Sequence, residues 1–152
     1  MTRVVLLARS IGRRSWSEPL SAEGHAGLAV GEGGASWIVQ GGPAAGLLRG
    51  AVTAVADPRE AFAVAAGAVW DTGESLVLPI TELATTWARA ADGVRLAAIV
   101  DELNERRLLY RYEDGPNSNT FVRMVLERLG CPCRLPAEGP VLRGWDWTSA
   151  VA

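Results

Sequence analysis

The run Gly115-Pro116-Asn117-Ser118-Asn119-Thr120-Phe121-Val122 constrains this chain more than any other segment. Gly-Pro signals a turn, Asn117 is a strong N-cap, and an apolar-periodic stretch continues to Leu129, with Gly130 as its stop. At helical spacing Ser118, Val122, Val125, Leu126 and Leu129 share one stripe, while Arg123, Glu127 and Arg128 point away. Such a stripe has to be buried, and the strand-like segments upstream make a sheet its expected partner. Ser118 begins the stripe. A nucleophilic hydroxyl is therefore expected at the helix mouth, beside free backbone N–H groups and the positive end of the helix dipole.

The expected partner lies mostly in the first half of the chain. Residues 4–11 are apolar and β-branched and predict a strand, whereas residues 12–24 are polar and read as a loop able to cross the mouth of a site. Two strands are expected at 25–30 and 36–40, joined by Gly31-Glu32-Gly33-Gly34, whose glycines supply the positive φ of a hairpin. Gly41-Gly42-Pro43 is expected to end the second, and residues 51–56 are a further candidate strand. Pro58 opens an expected helix to residue 69, and residues 75–80 read as a strand whose Pro79 indicates an edge. A helical pattern runs from Thr81 to about residue 91, is broken at Asp92-Gly93, and resumes over 94–107 with Leu96, Ile99, Val100 and Leu103 on one stripe. Residues 108–112 fit a helix tail or a short strand. The tail, 136–152, reads as an ordered extension packed by Trp145 and Trp147. The fold class expected is α+β, an antiparallel sheet packed against helices, in a single domain spanning residues 1–152.

Composition excludes several functions. A net charge of −2 argues against a nucleic-acid binder, and Arg13-Arg14 and Arg106-Arg107 are too short to make a concentrated positive field. The longest mostly apolar stretch, residues 61–70, is about half of a bilayer span, so no integral membrane segment is expected. The apolar core of residues 1–9 is too short for a signal peptide, which makes the cytoplasm the expected location; specialised export would leave no trace. Cys131 and Cys133 flank Pro132, face opposite ways on an extended chain, and read as small buried fillers. With one histidine in the chain, no zinc site is expected, and no metal or cofactor is implied.

That histidine, His25, opens one hairpin strand, and Gln40 closes its neighbour. Folding the hairpin brings the two ends together, where a glutamine amide can fix the imidazole tautomer. Ser118, His25 and Gln40 are thus candidates for nucleophile, base and orienter, with Asn117, Asn119 and Trp37 as candidate substrate contacts. Taken singly, each has a plainer reading: Ser118 as a cap residue, His25 as a hydrogen-bonded strand end.

Asn117-Ser118-Asn119-Thr120-Phe121-Val122 resembles the asparagine-cysteine-x-x-phenylalanine motif of the circularly permuted papain-like superfamily, which includes lecithin:retinol acyltransferase-like proteins and relatives of NlpC-type cell-wall peptidases. His25-Ala26-Gly27-Leu28-Ala29-Val30 is similar to the histidine strand of that group, and Ile38-Val39-Gln40 falls where its next strand carries a second polar residue. The run from Gly115 to Phe121 also resembles a bacterial family of unassigned function with serine at this point. The likeness covers two islands, roughly residues 24–43 and 108–130. It implies a permuted papain-like arrangement and a hydrolase or acyltransferase acting on an amide or ester of a small-molecule, peptide or lipid substrate. The superfamily nucleophile is normally cysteine, and here it is serine. A thiol can be held as thiolate beside histidine, whereas a serine must lose its proton during attack. Two further readings therefore stand beside it: an inactive papain-like module that binds a peptide, glycan or lipid, and an effector or toxin domain. Trp16, Trp37, Trp145 and Trp147 can line a binding groove or pack the core. Oligomeric state is not readable from the sequence.

Overall fold

In a computed structural model that describes residues 1–11, 22–32, 35–65 and 76–149, the first apolar run becomes β1 (Thr2–Ser10), with residues 4–8 buried. Burial on both faces is the condition of a central strand. Four more strands complete the sheet: β2 (Gly24–Glu32), β3 (Ala35–Ala44), β4 (Leu47–Ala54) and a late strand over Ile80–Ala88. Between them lie a short helix, α1 (Pro58–Ala63), and a two-residue pair, β5 (Val64–Ala65) with β6 (Leu76–Val77); the late strand is β7. Two longer helices follow, α2 (Gly93–Glu105) and α3 (Ser118–Arg128). The five-stranded sheet is antiparallel, in the order β4-β3-β2-β1-β7, and the fold is α+β.

The two faces are covered unequally. On one, Val4, Leu6, Ala8, Leu28, Val30 and Val39 meet Leu96, Val100 and Leu103 of α2 and Phe121, Val122, Val125 and Leu126 of α3 in a single cluster. On the other, Val5, Leu7, Ala29 and Ile38 meet Phe62 of α1. Alternation along β1 serves both clusters, since successive side chains point to opposite faces.

Several expectations change. The helical pattern expected over 81–91 is instead strand β7 as far as Ala88, paired to β1 from Thr2–Ala88 to Arg9–Ile80. Its Ala, Leu and Glu favour a helix, but Thr81, Thr85, Thr86 and Trp87 suit a strand, and pairing satisfies the edge of β1 that would otherwise be open. Asp92-Gly93 does mark a boundary: Asp92 caps α2, accepting from Arg95 N at 2.9 Å. Gly41-Gly42-Pro43 does not end β3, which continues to Ala44 and turns at Ala45-Gly46 with φ of 50° and 80°. Gly41 and Gly50 instead admit α3. A Cβ on Gly41 would sit 2.8 Å from Phe121 Cβ, and one on Gly50 1.9 Å from Phe121 Cζ. Residues 108–112 form neither alternative fully, making one antiparallel bridge, Leu47 to Leu109. The helix expected from Pro58 to 69 ends at Ala63, because Val64–Ala65 pair with Leu76–Val77 as strand; residues 66–69, the hairpin residues Gly33-Gly34, most of the 12–24 loop with Trp16, and Ser75 lie outside the described residues.

Candidate functional site

The site forms where two strands separate. The β2–β3 ladder stops at Leu28–Val39, while β1–β2 continues to Ser10–Gly24 and β3–β4 to Ala44–Leu47. The start of β2 thus loses its neighbour on one side. Two other groups take that place. Val141 of the tail accepts from Gly24 N at 2.7 Å. The Asn119 amide then accepts from Ala26 N at 2.8 Å and donates to Gly24 O at 3.1 Å, offering the donor and acceptor that a strand would have offered. This clamp fixes the mouth of α3 against β2, one residue from His25.

Asn117 anchors the same helix end. Its Oδ1 accepts from Asn119 N and Thr120 N, Thr120 Oγ1 accepts from Asn117 N, and its Nδ2 donates to Tyr112 O and Arg143 O at 2.7 and 2.9 Å. Thr120 Oγ1 also donates to Gly144 O at 2.6 Å, and Asn119 Nδ2 reaches Arg143 O at 3.0 Å. The tail is thereby tied to the cap, while Trp145 is buried in the larger core cluster.

The result is a three-residue chain. His25 Nδ1 lies 3.0 Å from Ser118 Oγ, and His25 Nε2 lies 3.1 Å from Gln40 Oε1. A carbonyl oxygen accepts, so Gln40 sets the proton of neutral imidazole on Nε2 and leaves the Nδ1 lone pair for the Ser118 hydroxyl. Burial, then the positive charge of Arg9, push the His25 pKa from 6.5 down to about 4, with the Gln40 bond acting the other way. The ring is therefore neutral near pH 7. It packs against Phe62, centroids 5.7 Å apart.

Ser118 is 8% exposed. A cavity of about 20 Å³ adjoins it, lined in part by Glu23, Tyr112 and Arg143. Glu23 bridges the other two, accepting from Tyr112 Oη and, at 2.6 Å, from Arg143 Nε. These bonds hold the Glu23 carboxyl below its usual range, and burial, ahead of Glu23, pushes Tyr112 up to about 12.

Ser118, His25 and Gln40 are thus brought together. Asn117 and Asn119 sit in the same cluster, 2% and 4% exposed, with their amides engaged by the backbone. Trp37 lies elsewhere, on β3 opposite Val30 and Ala54, against Gly93 at the start of α2. Of the backbone N–H groups at the mouth of α3, those of Asn119 and Thr120 are taken by the Asn117 cap, which leaves the Ser118 N–H. Comparison of the chain with protein-family models, with curated proteins and with solved structures gives no match.

Glu23, Tyr112 and Arg143 escaped the sequence reading because they are scattered along the chain and ordinary in type. Arg9 left one trace, a charge ending an apolar strand run. Among the described residues no group of three or more His, Cys, Asp or Glu is placed to hold a metal ion, and no helix is long and apolar enough to cross a membrane. Cys131 and Cys133 are free, and burial raises both thiol pKa values.

Proposed function

We propose that this protein is a hydrolase or acyltransferase for an amide or ester, on a permuted papain-like arrangement with serine as the nucleophile. The observation that carries the reading is the continuous chain from Ser118 Oγ through His25 to Gln40, at 3.0 and 3.1 Å. Ser118 Oγ attacks the carbonyl carbon as its proton passes to His25 Nδ1. The carbonyl oxygen becomes an oxyanion facing the Ser118 N–H. Collapse breaks the bond to the leaving amine or alcohol, which takes the proton from Nδ1 and leaves an acyl-serine. Water, or an acceptor alcohol or amine, attacks the acyl-serine with His25 again as base. Gln40 holds the ring in the productive tautomer throughout.

The test is covalent labelling. A fluorophosphonate probe should modify Ser118, and His25→Ala should slow the labelling by about 10²–10⁴-fold. A wild-type protein that stays unlabelled with a range of such probes sinks the proposal.

A second reading, a non-catalytic module, is favoured by the small cavity beside Ser118, whose 20 Å³ admits roughly one water and not an ester. Ser118→Cys separates the two. A competent site gives a thiol of depressed pKa and high reactivity, and an inert one gives an ordinary buried thiol.

A further inference from the structure

Arg9 is paired with His25 across β1 and β2. Its guanidinium carbon lies 5.1 Å from the centroid of Phe62, the ring against which His25 also packs. Its Nε is buried with no hydrogen-bond partner. Burial alone pulls its pKa down. Removing a cation from water costs more than a single cation–π contact returns. The half-buried fork thus keeps one unused donor, its Nε–H, beside the imidazole. Arg9 also lines a hollow of about 380 Å³ with Ser10, Glu23, Thr81 and Pro140, a volume suited to a small ligand. Glu23 lines both this hollow and the cavity beside Ser118, so the two share a wall.

The geometry points to Arg9 as a recognition site for a carboxylate carried by the substrate of the Ser118–His25 pair. The inference rests on the reading of that pair as the reacting site. A planar guanidinium matches a carboxylate with two parallel hydrogen bonds. A monoanion balances the single positive charge, whereas a phosphate dianion would leave an excess. Such an anion would also offset the influence of Arg9 on His25, making the imidazole a stronger base when substrate is bound.

The chain's single histidine supplies the readout, because its ring gives one set of imidazole NMR signals. Ser118→Ala protein is titrated with N-acetylglycine and, separately, with N-acetylglycinamide, which differs in carrying no charge. The acid should shift the His25 signals saturably and bind at least about tenfold more tightly than the amide. The preference should vanish when Arg9→Gln is added and persist in part with Arg9→Lys. Equal affinity for acid and amide, no saturable shift with either, or an undiminished preference in Arg9→Gln overturns the inference. Should Arg9→Gln fail to fold, the acid–amide comparison still decides. Failure of Ser118 to label with fluorophosphonates would end the hydrolase reading and leave this titration interpretable on its own.

Discussion

Asn119 and Asn104 each lay a side-chain amide against the open side of a strand. Asn119 takes Ala26 N and Gly24 O of β2, at 2.8 and 3.1 Å. Asn104, on α2, takes N and O of Gly50 on β4, at 2.7 and 3.1 Å. The chemistry of the clamps is the same. Their surroundings differ. Asn104 closes the outer edge of the sheet, where β4 has no further strand among the described residues, and the amide only ties a helix to an edge. Asn119 fills a gap inside the sheet, where β2 and β3 part company. There the clamp brings a helix mouth up to side chains of two strands at once, His25 and Gln40. Groups from three elements converge where the interior ladder is interrupted, because the vacated place admits the helix mouth.

The comparison can be broken most directly at its reactive end. If the Asn119 region differs from the Asn104 region by chemistry, Gln40→Met should slow fluorophosphonate labelling of Ser118 by about tenfold or more, through loss of the fixed tautomer, while Asn104→Ala should leave it within about twofold. Equal effects would remove the contrast between the two regions. Burial sets the next effect. Asn119→Ala leaves Ala26 N, Gly24 O and Arg143 O without the amide, in a place 4% exposed, and should cost about 3–5 kcal/mol in urea unfolding.

The pH dependence sharpens the same contrast. The unfolded chain protonates His25 near pH 6.5, and the folded chain only near 4. The stability associated with the neutral ring is therefore full above pH 6.5 and is lost as pH falls through about 4, some 3 kcal/mol in all. Urea melts of wild type and His25→Gln, compared between pH 7 and pH 4, measure it; parallel curves would contradict the burial of a neutral imidazole. Labelling of Ser118 should likewise rise with pH through about 4, since the base form of His25 is required. The smallest effect belongs to the edge. Asn104→Ala should cost about 1–2 kcal/mol, because water can reach the freed groups of Gly50.

Much of the site was legible. The cap-and-stripe pattern placed Ser118 at a buried helix mouth, and the hairpin pattern placed His25 and Gln40 near each other. The early strands, α2 and α3 also follow from local periodicity. What misled was equally local. The Ala-rich run from Thr81 looks helical until β1 offers it an edge, and Gly41-Gly42-Pro43 looks like a strand end until Phe121 is seen to need the space. Asn119 and Asn117 read as polar residues available to a substrate. Each amide also donates to a backbone group 24 to 95 positions away, a pairing that no window of sequence contains.

The sequence by itself determined where helices begin, which faces are apolar, and which residue types carry reactive atoms, because capping and periodicity act over a few neighbouring positions. The tertiary structure alone decided that β2 and β3 separate after Leu28–Val39, that an asparagine and a tail carbonyl take the vacated place, and that Arg9 lies beside His25 with its buried Nε unpaired. Those outcomes depend on satisfying buried polar groups across the whole sheet, and that balance is struck only when distant segments meet.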